Sequence, residues 1–304
     1  MKATTIGIFI SLLSFNGMAQ ELHSKNTPQG VLISEGDQKV LFYQKETKTL
    51  DGHYPRANYI HPLYDLEGNI ITEDFPEDHK HHRGIFWAWH QVLVSGKPMG
   101  DSWECKDFTW DVQKLSSVKL QDKLQLHIMT LWNSPDFVIE GNQIPFIKEN
   151  TQITVHPATD TYRIIDFKIA LQALVDGVQL GGSNDIKGYG GFSARFKLPS
   201  EIEFISDNKN IEPQNQAIQA GRGMQFNNRI SPAQELGVLL VSSTSNPKPN
   251  NSWILRLKNS MQNAVYPGAE PVSMSKESPT ILQYRLVIYN TKPSEKQLLL
   301  WQDF

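Results

Sequence analysis

Apolar and polar residues alternate with a period of two along much of this chain. From residue 165 to residue 172, every second residue is apolar and most of the others are polar. Successive side chains of a strand point to opposite faces, so this pattern predicts a strand over 162–173 with one buried face. Residues 124–132 and 284–288 show the same alternation, whereas the apolar run at 237–241 predicts a strand buried on both faces.

Turn-forming residues support a fold made of sheets. The 20 glycines and 17 prolines are spread at intervals that would interrupt long helices but suit the turns between strands. Segments 243–252 and 266–279 are predicted loops, and there is no internal repeat or low-complexity linker to mark a domain boundary. We therefore predict an all-β fold: one domain over residues 20–304, built as a large two-sheet sandwich.

The first 19 residues have the features of an export signal. Lys2 supplies the charged start, residues 6–15 are mainly apolar, and the segment ends in small residues at Ala19. We expect cleavage near Ala19 and a periplasmic or secreted product. Elsewhere the sequence lacks the run of apolar residues that a membrane span needs, so no membrane span is expected.

Charge and cysteine content narrow the possible functions. The net charge is -3, and removal of Lys2 with the signal would make it -4. A mildly acidic chain gives no reason to expect nucleic acid as a partner. Cys105 is the only cysteine, which excludes an intrachain disulfide, and we expect its thiol to be a small buried group.

Histidines are concentrated in one part of the sequence. Six of the nine lie between residues 53 and 90, and three lie in the run DHKHHRG at 78–84. Residues 75–82 are predicted to form a loop, because Pro76 and the density of charge oppose a sheet ladder, and the next strand should begin near Arg83. The cluster would then lie at the rim of a sheet.

These residue types suit acid/base catalysis. A neutral imidazole can accept or donate a proton near pH 7, and a permanent cation can stabilise a developing oxyanion. The predicted catalytic residues are His79, His81, His82, Arg83 and Lys187.

A divalent metal ion is an open alternative for the same three histidines, together with Asp78. His81 and His82 are adjacent, and adjacent side chains point apart on a regular element. A metal site would therefore need a bent loop and an outside ligand such as His61 or His90.

Aromatic and polar residues around the cluster are candidates for substrate contacts. Trp87 and Trp89 could stack on a sugar ring, and the turn at 100–104 would form a second wall. A glycine-rich segment at 181–192 precedes Arg195, which is predicted to begin a new strand. The predicted substrate-binding residues are His61, Trp87, Trp89, His90, Asp101, Trp103, Glu104, Tyr189 and Arg195.

The two faces of the strand after the cluster carry different residues. Trp87 and Trp89 share one face with Arg83, whereas His82 and His90 share the other. Only one of these faces can form the site, and the sequence does not decide between them.

Several motifs resemble a known family. The segments YIHPLYDLEG (59–68) and DHKHHRGIFW (78–87) resemble a bacterial family commonly labelled PmoA-like, which is frequent in exported proteins of polysaccharide-degrading bacteria. The segments KGYGGF (187–192) and QYRL (283–286) are similar to its pattern as well. The label comes from a membrane-bound copper methane oxygenase, and the absence of a membrane span in this sequence argues against that activity.

The resemblance implies a role in carbohydrate breakdown and a fold similar to the galactose-mutarotase-like supersandwich. Enzymes of that fold place histidines and carboxylates on the concave face of a sheet and act at sugar carbons by acid/base chemistry. The sequence has no clear match to the mutarotase active-site pattern, so mutarotation itself does not follow.

We therefore predict an exported carbohydrate-active enzyme, a glycoside hydrolase or lyase, with a carbohydrate as its partner. Hydrolysis usually needs two carboxylates, for which Asp101, Glu104 and Asp185 are candidates. Elimination needs a base beside an acidic C–H group and a cation for the enolate. The alternatives are a non-catalytic module that binds glycans through tryptophans, a sugar epimerase or mutarotase, and an interaction protein with an exposed, tolerant cluster.

Overall fold

The computed structural model describes residues 20–197, 202–229, 235–257 and 261–304. The predicted export signal, residues 1–19, lies outside the described residues. One helix is described, α1 (Glu295–Gln302), and all other regular elements are strands. Among the described residues, no helix has the length and apolar character needed to cross a membrane.

The strands in chain order are β1 (Leu22–Asn26), β2 (Gly30–Glu35), β3 (Gln38–Gln44), β4 (Lys48–Leu50), β5 (His53–Arg56), β6 (Tyr59–Leu63), β7 (Ile85–Trp89), β8 (Gln91–Val94), β9 (Lys97–Pro98), β10 (Thr109–Leu120), β11 (Lys123–Asn133), β12 (Val138–Ile139), β13 (Asn142–Gln143), β14 (Ile147–Val155), β15 (Tyr162–Ala173), β16 (Val178–Gly181), β17 (Gly190–Arg195), β18 (Glu203–Ser206), β19 (Lys209–Asn210), β20 (Ile218–Gln219), β21 (Gly223–Arg229), β22 (Glu235–Ser242), β23 (Ser252–Ile254), β24 (Met261–Val265), β25 (Val272–Ser273) and β26 (Thr280–Tyr289).

Two nine-stranded sheets dominate the molecule. The first sheet has the strand order β1-β2-β3-β6-β7-β17-β24-β23-β20, and the second has the order β10-β11-β14-β15-β26-β22-β21-β18-β19. Smaller sheets are formed by β25-β16-β8-β9, by β12-β13 and by β4-β5. Neighbouring strands in both large sheets run antiparallel. The prediction of an all-β sandwich is confirmed.

The core lies between the two large sheets. Phe192 of β17 in the first sheet packs against Phe167 of β15 in the second, with ring centroids 4.9 Å apart. On β15, Phe167 and its apolar neighbours are buried, whereas Asp166 and Lys168 point to the outer face, as the alternation predicted. Burial of each large apolar side chain contributes about 1.5–3 kcal/mol, so this interface is the main source of stability.

Strand β22 is buried on both faces, as its apolar run predicted. Val238 and Leu240 belong to the core between the sheets, whereas Leu239 and Val241 lie under α1 and pack with its buried Trp301. The helix itself begins with a capping box between Ser294 and Gln297, which satisfies amide groups of its first turn.

Strand β7 carries the core on one face and the candidate site on the other. Its residues Ile85, Trp87 and Trp89 point into the core between the sheets. Phe86 and Ala88 point to the outer face of the first sheet, where they form a second apolar cluster with residues from other elements. Trp103 and Tyr189, which directly precedes β17, pack on this outer face.

Arg195 lies at the end of a strand, and the prediction that it begins one is wrong. Glycines 190 and 191 of the glycine-rich segment begin β17. The neighbouring strand β24 approaches so closely that a Cβ on Gly191 would lie 2.7 Å from the carbonyl oxygen of Ala264. Glycine is required here by this close approach and by a φ of 100°.

Candidate active site

The histidine-bearing loop is fixed to the first sheet by a buried arginine. Arg195 donates to both carboxylate oxygens of Asp78, at 2.6 and 3.2 Å, and its Nε donates to Glu73 at 2.7 Å. Its side chain is fully buried. We predicted that Arg195 binds substrate, but these ion pairs occupy its donors and make it a positioning residue.

Arg83 is also structural, and its predicted catalytic role is wrong. Its Nε forms an ion pair with Asp74, and its Nη2 donates to the Tyr59 hydroxyl at 2.6 Å. The carbonyl oxygens of Tyr54 and Lys48 accept from Nη1. With no exposed surface, this guanidinium cannot reach a ligand.

The three clustered histidines pack ring against ring. His79 stacks on His82 at 4.8 Å, and His81 meets His82 edge to face at 4.5 Å. His82 Nδ1 lies 3.3 Å from Nη1 of Arg195. Because a guanidinium only donates, His82 Nδ1 must accept, which places the proton of the neutral ring on Nε2.

Burial keeps two of these imidazoles neutral. Desolvation, followed by the charges of His79 and Arg56, lowers the pKa of His81 to about 4. Desolvation and its histidine neighbours lower the pKa of His82 well below its usual value. At neutral pH both rings are uncharged but weakly basic, which suits hydrogen bonding better than proton abstraction.

His90 is held in the geometry of a general base. Its Nδ1 lies 2.8 Å from Oδ2 of Asp101, and its ring stacks on Trp103 at 5.3 Å. The other oxygen of Asp101 accepts from the backbone amides of Trp103 and Glu104, both at 2.9 Å. A carboxylate on Nδ1 fixes the tautomer and leaves Nε2 free to accept a proton.

Trp103 connects the parts of the site but exposes almost no surface. Residues 101–106 form the predicted turn, closed by a bridge between Asp101 and Lys106. The Trp103 ring, only 2% exposed, contacts His82, His90 and Tyr189. The prediction that Trp103 offers a face to a sugar is therefore wrong, because other side chains cover the ring.

A second buried arginine, Arg56, holds this turn by hydrogen bonds to its backbone. Arg56 donates from Nη2 to the carbonyl oxygens of Ser102 and Trp103, at 2.6 and 3.2 Å. Its guanidinium lies between the rings of Phe86 and Trp110. Among the described residues, no carboxylate lies within ion-pair distance of Arg56.

Glu104 lies at the open edge of the cluster. Its carboxylate is 3.3 Å from Nδ1 of His81, and its side chain is 45% exposed. Partial burial and the nearby charge of Asp101 raise the pKa of Glu104. A carboxyl group of this kind is suited to donate a proton.

The other end of the site carries cations. Arg256 donates from Nη2 to the Tyr189 hydroxyl at 2.6 Å, and Lys187 Nζ lies 6.0 Å from the centre of the same ring. Tyr189 in turn packs against Trp103 at 5.3 Å. The structure thus brings the predicted Lys187 and Tyr189 to the histidine site and adds Arg256, which no sequence pattern indicated.

Trp87 and Trp89 are placed differently from the prediction. Both point into the core between the sheets, with exposures of 1% and 0%. Their predicted contact with substrate is wrong, because the face of β7 that carries His90 is the opposite one. All seven tryptophans of the chain are buried, none more than 3% exposed.

His61 lies apart from the other histidines. Its Nδ1 is 3.0 Å from the Thr72 hydroxyl, and burial, as the main cause, lowers its pKa to about 4. Its predicted role in binding substrate or metal has no supporting contact. Among the described residues, no three histidine, cysteine or acidic side chains are arranged to hold a metal ion.

Over residues 30–301, the sequence matches the model of a protein family that is described as a family of unknown function (DUF6807). No curated protein matches the sequence. Because the match extends over most of the chain, the protein belongs to this family of unknown function, DUF6807.

Proposed function

We propose that this protein is an exported carbohydrate-active enzyme that removes a proton from a sugar carbon, with His90 as the base. The observation that carries the proposal is that His90, fixed by Asp101, and the Tyr189–Arg256 pair both contact Trp103. Enolate formation requires a base for the carbon-bound proton and a cation or hydrogen-bond donor for the oxyanion. The resemblance to a carbohydrate-related family supports the choice of substrate class and stays a prediction.

Elimination is the reaction that this arrangement favours. His90 Nε2 takes the proton from a carbon next to a carbonyl or carboxylate, and the electron pair of that C–H bond forms the enolate. Tyr189 and Arg256 donate hydrogen bonds to the enolate oxygen. The C–O bond to the leaving group then breaks as a C=C bond forms, and Glu104 gives its proton to the departing oxygen.

Hydrolysis is the second candidate, and the raised pKa of Glu104 favours it as a general acid. In the described part of the chain, the site lacks a suitably placed second carboxylate for hydrolysis. Both oxygens of Asp101 are already engaged, one by His90 and one by backbone amides. Asp185 accepts from Ser183 and from the amides of its own exposed loop, so neither group is placed to attack a sugar or activate water.

A non-catalytic glycan-binding module agrees poorly with the burial of the tryptophans. That alternative needs exposed indole faces, and every indole in the chain is covered. An epimerase would use the same proton abstraction without loss of a leaving group. Product analysis therefore separates it from a lyase.

The experiment is to incubate residues 20–304 with a set of plant, algal and animal oligosaccharides and to determine product masses. We expect products whose summed mass equals that of the substrate, since elimination adds no water. Products heavier by one water would identify a hydrolase. Unchanged substrate for every sugar, together with no detectable sugar binding, would contradict the proposed function.

A further inference from the structure

We propose that the site takes sugars that carry a carboxylate, that is, uronic acid residues, and that Arg256 and Lys187 bind this carboxylate beside Tyr189. This inference rests on the proposed function and specifies its substrate class. It assigns the binding of the substrate carboxylate to Arg256 and to Lys187.

Arg256 differs from Arg83 and Arg195 in its partners. Arg83 and Arg195 are fully buried and paired with carboxylates. Arg256 is only half-buried, and it donates to Tyr189 and to backbone carbonyl oxygens. No described carboxylate lies within ion-pair distance of it. Its charge is therefore uncompensated and close enough to solvent to meet an anion.

Lys187 adds a second cation on the same tyrosine. Its ammonium group forms no ion pair with a described carboxylate, although Asp185 is two residues away. The Asp185 carboxylate instead accepts from Ser183 and from the backbone amides of Lys187 and Gly188.

The site is electrically polarised along Trp103. Its carboxyl groups, Asp101 and Glu104, lie at the histidine end, where they contact His90 and His81. The uncompensated cations lie at the Tyr189 end. His90 and Tyr189 each lie 5.3 Å from the Trp103 ring, so one small sugar can reach both ends. A ligand that matches this field carries its negative charge near Tyr189.

Uronic acids match the chemistry as well as the charge. In a uronate the carboxylate is attached to C5, and the C5 proton becomes acidic when a cation neutralises that carboxylate. Removal of this proton by His90 breaks the C5–H bond, the C4–O bond breaks as the C4=C5 bond forms, and the leaving oxygen takes a proton from Glu104. The step balances without an oxidant, reductant or other co-reactant.

The test is a calorimetric titration of the His90→Ala protein, which prevents turnover, with disaccharides of galacturonic or glucuronic acid and with their neutral galactose or glucose counterparts. We expect the uronates to bind at least about tenfold more tightly than the neutral sugars. Adding Arg256→Gln should remove about tenfold of uronate affinity and leave neutral-sugar binding unchanged. The matched control is Arg222→Gln, because Arg222 also donates to backbone carbonyl oxygens but lies outside this patch.

The outcomes separate this inference from the proposed function. Equal affinity for uronate and neutral sugars would overturn the carboxylate subsite and leave the enzyme proposal standing. Binding of neither would overturn both. If Arg256→Gln fails to fold, Lys187→Gln on the loop keeps the test decisive: a loss of about threefold or more for uronates alone supports the subsite, and no change overturns it.

Discussion

Ion pairs of a buried arginine hold the residues that carry the candidate chemistry. Arg195, at the end of β17, forms ion pairs with Asp78 and Glu73. Both acidic residues belong to the segment between β6 and β7, which carries the histidines. His79 and His82 both touch this network, through Asp78 and through Arg195 itself. The position of the imidazoles therefore depends on a residue that does not meet the ligand.

Arg195→Gln should lower the free energy of unfolding by about 1.5–3 kcal/mol, because it removes charged hydrogen bonds between a buried cation and two partly exposed carboxylates. Lys276→Gln is the matched control, since Lys276 forms a surface ion pair with Asp176, for which a cost below about 1 kcal/mol is expected. Urea unfolding of both variants measures the difference. Equal costs would show that the Arg195 network does not hold the loop.

Neutral buried histidines make stability depend on pH in a definite direction. The pKa values of His61 and His81 are lowered to about 4 from 6.5, chiefly by burial. Between these values the unfolded chain binds more protons than the folded one, so acidification favours unfolding. The contribution of these rings is fully present above pH 6.5 and is lost as the pH falls toward 4.

We expect the free energy of unfolding, measured in urea, to fall from pH 7 to pH 5, and the fall to be smaller in His81→Gln. An unchanged slope in that variant would show that His81 is not held neutral by the fold. Gln125→Ala is the control and should keep the wild-type slope, because this residue on the outer face of the second sheet does not titrate.

At the level of elements, β7 supports the core and the site from opposite faces. Trp87 and Trp89 fill the space between the sheets, while Phe86 lies under Trp103 and His82. A change on one face should therefore affect stability, and a change on the other should affect function.

Trp87→Ala should lower the free energy of unfolding by about 3–5 kcal/mol, because it leaves a cavity in the core. In Trp87→Ala, sugar binding per folded molecule should stay within about twofold of the wild-type value. Trp103→Ala should instead reduce binding and turnover, because it removes the ring that His90 and Tyr189 both pack against. Loss of binding in folded Trp87→Ala protein would contradict this division between the two faces.

The elements were more predictable than the site. Strands such as β11 and β15 alternate cleanly, because one face of each lies in the core and the other is more exposed. Both faces of β7 are buried, so alternation alone could not show which face belongs to the core. That ambiguity led to the incorrect roles of Trp87 and Trp89.

Ion pairs and long-range contacts account for the other errors. Arg195 and Asp78 are far apart in the sequence, and only the paired strands bring them together. Arg256 follows an apolar run without any motif, and its link to Tyr189 exists only in the folded chain. The buried Glu149, which accepts from Asn58 and Trp132 between the sheets, was equally invisible to pattern analysis.

For the whole molecule, the two sheets have different outer faces. The second sheet presents polar side chains such as Asp166 and Lys168, whereas the outer face of the first sheet is covered by the loops and aromatic residues of the site. The candidate chemistry is thus confined to one side of the sandwich, and in the described part of the chain it lacks a set of metal ligands.

Treatment with a chelator should therefore leave the melting temperature and the turnover unchanged. Elemental analysis of the purified protein, dialysed against metal-free buffer, should show no stoichiometric divalent ion. An ion bound one to one, and lost in His81→Ala, would replace the acid/base account with a metal-assisted one.

The most direct test of the central claim compares turnover in His90→Ala and His127→Ala. Formation of the C=C bond, followed by its ultraviolet absorbance with a uronate oligosaccharide as substrate, reports the reaction. The account predicts a loss of about 10²–10⁴-fold in His90→Ala and wild-type turnover in His127→Ala. Turnover by His90→Ala at the wild-type rate would contradict the assignment of His90 as the base.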